Sequence, residues 1–172
     1  IKSNTTLNLV STPCEGKYIK GTIDLLDLEN VDVSRFKLGE ISREGGKASF
    51  EFIEKSVELA MNNKIDAIAT APINKESISA AGIPFVGHTE MYASLSKVTE
   101  PMTMFQVKNL RIFFLTRHVP LREACDLVTY EAVLGAIERA DHALIRLGDK
   151  RRKLEVAGLN PHCGEHGLFG RE

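Results

Sequence analysis

Four of the five histidines in this chain lie in short segments rich in glycine, proline and polar residues, which are typical of loops. They are His88, His118, His162 and His166, whereas His142 falls within an apolar helical pattern. Histidines in three separate loops indicate more than chance exposure, because neutral imidazoles that converge on one crevice commonly hold a transition metal. The sequence therefore predicts a candidate metal site, and exposed loop histidines are the simpler alternative.

The segments that carry most of these residues follow apolar runs of strand length. Residues 70–75 (TAPINK), 116–121 (TRHVPL) and 160–166 (NPHCGEH) have this placement, and residues 87–90 (GHTE) open a predicted helix. Ligands of open α/β sheets bind beyond the carboxyl ends of the strands. These four segments are therefore the expected lining of a functional crevice.

Residues 162–166 also match the H-x-x-E-H pattern of one class of metallopeptidases. That chemistry requires a helix that presents His162 and His166 to zinc and uses Glu165 as the base. A proline at 161 and a glycine at 164 favour a loop instead. A metallopeptidase is therefore a remote alternative.

A nucleotide-binding glycine loop is not evident. Gly164, Gly167 and Gly170 form the densest glycine cluster, but they lack the G-x-G-x-x-G spacing and do not open a recognisable helix. A nucleotide cofactor would have to be bound in another way.

Helices and strands that position these segments are predicted from apolar periodicity. Long amphipathic helices are expected over residues 47–62, after a break at Gly45-Gly46, and from the N-cap Thr129 to the stop at Gly148. The shorter predicted elements are short strands in the first forty residues, buried strands at 65–70 and 154–157, helices at 75–81 and from His88 or Thr89 to about Lys97, and a hairpin of 102–107 with 110–116. This order predicts a layered α/β fold with a largely parallel sheet and one hairpin.

Composition and charge narrow the functional classes. The 172 residues are 43% hydrophobic and 26% charged, which suits a folded core. The 22 basic and 23 acidic side chains nearly cancel, so we expect neither a nucleic-acid partner nor a membrane partner. The three cysteines form no close-spaced pair, which favours a reducing, cytoplasmic location.

Four segments in the same order resemble the 4-hydroxythreonine-4-phosphate dehydrogenase family of pyridoxal 5′-phosphate (pyridoxine) biosynthesis. They are TAPINK at 70–75, GHTE at 87–90, TRHVPL at 116–121 and GLNPHCGE at 158–165, the last followed by Gly167 and Gly170. Each segment alone is a weak signal, but their order and spacing from about residue 66 to residue 172 are specific.

The resemblance implies an oxidoreductase with the two-domain α/β/α fold of isocitrate and isopropylmalate dehydrogenases, working as a homodimer. Such an enzyme oxidises 4-phosphooxy-L-threonine with NAD or NADP, and the β-keto acid then loses carbon dioxide to give 3-amino-2-oxopropyl phosphate. A divalent cation, such as zinc, magnesium or cobalt, would polarise the substrate hydroxyl and stabilise the enolate. A relative that acts on D-threonate or D-erythronate 4-phosphate would show the same loops.

The resemblance also assigns site residues. It implies that His118 and His162 bind the metal and that His88 and Thr89 contact the substrate. Lys75, with Asn74, is a further candidate from its residue type alone, because a cation and an amide at a strand end can bind phosphate or carboxylate. A solvated surface lysine is the equally weighted alternative for Lys75.

We expect the chain to be the central part of such an enzyme. Residues 1–65 would be the remainder of a first domain and residues 66–172 the motif-bearing region. The family's third histidine ligand and its phosphate-binding lysine, asparagine and arginine would lie outside this sequence. The chain alone is therefore expected to be inactive, and a non-catalytic fragment is the alternative from another class.

Overall fold

The computed structural model describes residues 4–34, 36–150 and 152–171. The chain divides into two compact units, of which the first ends at Pro101 and the second begins at Met102. Both units mix helices with short strands, so the α/β class predicted from the sequence is confirmed. The finer expectation of a domain division near residue 65 stays a prediction.

The first unit contains a small parallel sheet and three helices. Strands β1 (Thr6–Leu9) and β2 (Thr22–Leu25) pair in parallel, with Thr6 opposite Thr22. Helices α1 (Arg43–Met61), α2 (Lys75–Ala80) and α3 (His88–Ser96) follow. The Asp24 carboxylate of β2 accepts hydrogen bonds from the backbone amides of Lys17 and Tyr18 at 3.0 and 2.9 Å. It thereby ties the preceding turn to the sheet.

Helix α1 begins four residues earlier than its apolar pattern predicts. The Ser42 hydroxyl caps it by accepting a hydrogen bond from the amide of Gly45, which satisfies a first-turn donor. The expected break at Gly45-Gly46 is therefore wrong. Gly46 is buried against α2, where a Cβ atom would lie 2.8 Å from the amide nitrogen of Ile78 and closer still to the carbonyl of Ser77. The glycine permits close packing of two helices rather than a chain break.

The core of the first unit lies between its three helices. Ile53 and Val57 of α1 pack with Ile78 of α2 and Met91 of α3, and all four are buried. The partly buried residues around this cluster are Phe50, Ile68, Ile73, Ile83, Phe85, Tyr92 and Leu95. The helix that carries His88 and Thr89 is thus anchored through the apolar residues of its second and third turns.

The second unit contains a hairpin and two helices. Strands β3 (Met104–Val107) and β4 (Leu110–Phe113) pair antiparallel, which confirms the predicted hairpin. Helix α4 (Leu121–Asp126) was not expected, and α5 (Tyr130–Arg146) follows. The Thr129 hydroxyl accepts from the amide of Ala132, and Gly148 has a positive φ of 74°, so both predicted ends of α5 are confirmed.

Two predicted strands are absent. Residues 65–70 and 154–157 carry apolar runs, but neither segment belongs to the two sheets found in the described residues. Val156 is 64% exposed rather than buried. A strand exists only when a neighbour satisfies its backbone donors and acceptors, and neither segment has one here. Across residues 4–34, 36–150 and 152–171, no helix is long and apolar enough to span a membrane.

Candidate functional site

The N-terminus of α3 presents the GHTE segment. Gly87 precedes the helix in an extended conformation, and no side chain caps the first turn. His88 and Thr89 occupy the first two helical positions and are half-buried, whereas Glu90 is exposed. Uncapped amides and the helix dipole favour an anion at this end, with the exposed Glu90 carboxylate as the competing charge. An imidazole and a hydroxyl at this position are suited to contact an anionic substrate.

A second aromatic ring lies beside His88. Tyr92, one helical turn later, stacks on the imidazole with a centroid distance of 6.1 Å and an interplanar angle of 27°. Burial raises the pKa of the Tyr92 phenol. The sequence analysis does not single out Tyr92, although the spacing of four residues from His88 is the signal that could have identified it.

The TAPINK segment leads into α2. The Asn74 side-chain oxygen accepts from the amide of Ser77 at 2.8 Å, so this oxygen caps the helix and leaves the amide group of Asn74 as its donor. Lys75 follows at the first helical position and is exposed. Among the described residues no carboxylate forms an ion pair with Lys75, so its ammonium group is available to an anion.

The TRHVPL segment precedes α4. His118 is exposed and has a left-handed backbone with φ of 55°. Pro120 then occupies the N-cap position of α4, without a capping side-chain hydrogen bond. The conformation of His118 turns the chain sharply between β4 and α4, which places its imidazole on a surface loop as the sequence predicts.

The NPHCGEH segment forms a left-handed turn. Residues 162–166 all have positive φ, from 43° at Glu165 to 83° at Gly164. This geometry is not the right-handed helix that the H-x-x-E-H metallopeptidase class requires, so that alternative is excluded. The expected loop is confirmed, although its handedness was not anticipated.

Local contacts hold this turn at both ends. The Cys163 amide donates to the carbonyl of Asn160, and the Phe169 amide donates to the carbonyl of Gly164, each at 3.1 Å. The imidazole of His162 lies 6.0 Å from the ring of Phe169. Each non-glycine residue in this conformation costs about 1–2 kcal/mol, so the turn persists because such contacts fix it.

An open cavity of about 450 Å³ lies beside the turn. Its lining residues include Cys163, Gly164, His166 and Arg171. The Arg171 guanidinium donates to the carbonyl of His166 at 3.2 Å. The cavity therefore brings polar side-chain types together with the glycines of the turn.

The predicted metal ligands meet the chemical requirement only in part. His118 and His162 both belong to the second unit and supply two imidazoles, the right type of donor for a transition metal. A catalytic zinc usually takes three protein ligands, and the described residues contain no group of three potential ligands. The residues present therefore do not complete a metal site. No described segment has the glycine fingerprint of a dinucleotide site either.

A family assignment follows from comparison with known sequences. Residues 2–172 match the model of the pyridoxal phosphate biosynthetic protein PdxA. The chain belongs to the PdxA family. The resemblance inferred from the four loop segments is thereby confirmed.

Relatives of this chain are dehydrogenases by name. A "Putative D-threonate 4-phosphate dehydrogenase" of Clostridium botulinum is 54% identical over 98% of this chain and 51% of its own length. Two crystal structures of 4-hydroxythreonine-4-phosphate dehydrogenases are also similar. The one from Klebsiella pneumoniae has a TM-score of 0.91 and 34% identity over 97% of this chain and 50% of its own. The one from Burkholderia phymatum has a TM-score of 0.89 and 38% identity, and the match covers 98% of this chain and 51% of that one.

The chain therefore spans about half the length of the relatives it matches. His88, Thr89 and Lys75 lie in the first unit, whereas His118 and His162 lie in the second. Their substrate-binding and metal-binding roles stay predictions.

Proposed function

We propose that the polypeptide containing this chain is a dehydrogenase of a phosphorylated hydroxy acid. The observation that carries the proposal is the PdxA match over residues 2–172, together with 54% identity to a relative named as such a dehydrogenase. The oxidation removes a hydride from the carbon that bears the substrate hydroxyl and a proton from that hydroxyl, and the β-keto acid formed then loses carbon dioxide. NAD or NADP would accept the hydride when bound.

Two substrates are candidates, and the comparisons give them unequal support. The curated relatives at 54% identity carry the D-threonate 4-phosphate name, whereas the crystal structures at 34% and 38% carry the 4-hydroxythreonine 4-phosphate name. We therefore place D-threonate 4-phosphate first, ahead of the 4-phosphooxy-L-threonine expected from the sequence. The two acids differ at carbon 2, where one carries a hydroxyl and the other an amine.

The first unit would supply substrate contacts. His88 and Thr89 stand at the uncapped N-terminus of α3, where an imidazole N–H and a hydroxyl can donate to a carboxylate or phosphate oxygen. Lys75, exposed and without a carboxylate partner in the described residues, can add a positive charge. These groups would bind and orient the anion rather than exchange protons with it.

The rest of the site is part of the same proposal. His118 and His162 would be two ligands of a divalent cation such as zinc, magnesium or cobalt, with a further ligand from outside this chain. The isocitrate dehydrogenase-like layering, the homodimer and the cytoplasmic location are proposed with it. The nearly balanced charge of the chain supports a small-molecule substrate rather than a nucleic acid or a membrane.

An assay of NADH or NADPH formation tests the proposal. The full-length polypeptide is incubated with D-threonate 4-phosphate or 4-hydroxythreonine 4-phosphate, with each cofactor and each metal in turn. We expect turnover of D-threonate 4-phosphate, and no turnover of either acid would refute the proposed function. Turnover of the 4-hydroxythreonine compound alone would reverse the order of the two substrates.

Matched histidine variants test the site. His88→Gln should raise KM, whereas His142→Gln, at an exposed position of α5, should leave KM unchanged. Calorimetric titration of the full-length polypeptide with zinc should show binding, and the His162→Ala variant should lose it. Equal zinc binding by His162→Ala and the native protein would remove His162 from the metal site and favour a non-catalytic role for this loop.

A further inference from the structure

Tyr92 and His88 form an aromatic pair on one face of α3. Residues four apart on a helix project from the same side, and the two rings lie 6.1 Å apart with an angle of 27° between their planes. Offset aromatic pairs at such distances attract each other beyond the area they bury. The half-buried His88 imidazole therefore has an aromatic ring as its neighbour on the helix.

Tyr92 is itself firmly held. Its ring packs against the core cluster of Ile53, Val57, Ile78 and Met91, which joins all three helices of the first unit. His88, by contrast, stands at the first position of the helix, where end fraying is ordinary. The stacking contact therefore connects the first residue of the helix to the buried core of this unit.

Buried polar atoms usually form hydrogen bonds, and the Tyr92 hydroxyl is an exception. Its oxygen is buried and, among the described residues, has no hydrogen-bond partner. The nearby Ser56 hydroxyl donates instead to the carbonyl of Ile53 at 2.7 Å. Burying an unpaired phenol costs free energy, so the hydroxyl does not account for the placement of this ring. The packing of the ring on the core and its contact with His88 are the features that do.

We propose that Tyr92 is a positioning residue that fixes the imidazole of His88 at the N-terminus of α3 for contact with the anionic substrate. The substrate named in this inference rests on the proposed function. The positioning of His88 by Tyr92 rests on the observed contact between the two rings. Tyr92 acts through His88 and touches no reacting atom. A ring at residue 92 is required, and its hydroxyl is dispensable.

Two substitutions separate the ring from the hydroxyl. Tyr92→Phe keeps the ring, so KM for the phosphorylated acid should stay unchanged. Tyr92→Leu keeps an apolar side chain but removes the ring, so KM should rise about two- to tenfold with little change in kcat, the range expected for one lost aromatic pair. Phe85→Leu is the matched control, because Phe85 packs on the same core cluster but stacks on Phe50 rather than on His88.

A spectroscopic measurement tests the geometry without any substrate. In the full-length protein, the ring signals of His88 are assigned by their loss in His88→Gln. They should move in Tyr92→Leu, and they should stay in place in Tyr92→Phe and Phe85→Leu. Cross-relaxation between the His88 and Tyr92 ring protons of the native protein gives the same answer if the leucine variant does not fold.

The outcomes are distinct. Absent cross-relaxation, unchanged His88 signals in Tyr92→Leu, or an equal rise in KM for Tyr92→Leu and Phe85→Leu would overturn the positioning role. If the native protein oxidises neither acid, the proposed function fails, and the His88 ring signals still decide whether Tyr92 holds that ring.

Discussion

Gly46→Ala tests the closest helix contact in the first unit. The new Cβ atom would lie 2.8 Å from the Ile78 amide nitrogen and closer to the Ser77 carbonyl, whereas ordinary contact begins at 3.4 Å. Both neighbours are backbone atoms of α2, so no side chain can rotate away. The helices must therefore separate, and the buried residues between them lose part of their packing.

The magnitude follows from two opposing effects. Overpacking of this kind typically costs about 1–3 kcal/mol, and a forced backbone shift belongs at the upper end. Alanine in place of a helical glycine stabilises the folded state by about 0.5–1 kcal/mol, because it lowers the conformational entropy lost on folding. The net loss should be about 2 kcal/mol, which lowers Tm by about 8–16 °C for a unit of this size. Thermal and urea unfolding followed by circular dichroism at 222 nm measures it.

Gly45→Ala is the matched control on the same helix. There the new Cβ atom meets the ring edge of Phe36 at 3.0 Å, which is the end of a side chain that can rotate. Stability should change by less than about 1 kcal/mol, the range of helix propensity. If Gly46→Ala is as stable as Gly45→Ala, then α1 and α2 do not approach each other as described here.

Two further predictions concern local hydrogen bonds. Thr129→Ala should destabilise α5 by about 1 kcal/mol, because the Ala132 amide loses its cap, and Thr129→Ser should retain most of the stability in urea unfolding. The backbone amides of Lys17 and Tyr18 lower the pKa of Asp24, so the stabilisation is present above the unfolded value near 3.8 and is lost as pH falls through the lower folded value. The protection factors of these two amides, which correct for the pH dependence of intrinsic exchange, should therefore fall in acid. Equal protection at neutral and acid pH in Asp24→Asn would support this origin, whereas an unchanged loss of protection in acid would contradict it.

Some elements could be predicted because their signals are local. Helix α5 has an N-cap at Thr129, a regular apolar face and a glycine at 148, and the structure reproduces both ends. The hairpin of β3 and β4 also follows from two β-rich runs separated by two residues. In these cases each residue's preference and the final packing agree.

Other elements depend on partners that a local pattern does not contain. Residues 65–70 have the composition of a buried strand, but strand formation needs a neighbouring strand, and the described residues provide none. Gly46 is read from sequence as a break, because the same residue type serves both a turn and a close helix contact. The sequence of a segment shows which of its faces is apolar, but it does not show which other segment packs on that face.

The candidate site shows the same division. The glycine and proline around His162 predict a loop, and a loop is found, but nothing in the residue types specifies five successive left-handed residues. The order of the four loop segments identifies the family, and the stacking of Tyr92 on His88 becomes visible only when α3 is built.

The left-handed turn at residues 162–166 also limits how this loop can vary. β-Branched side chains fit that backbone poorly, so valine or isoleucine at Cys163 or Glu165 should be selected against whatever chemistry the loop performs. Gly164 is restricted further, since a Cβ atom there would lie 2.7 Å from the carbonyl oxygen of Gly170. A library of loop variants would therefore reveal a tolerance profile set by backbone handedness, in which asparagine and glycine survive and branched residues disappear.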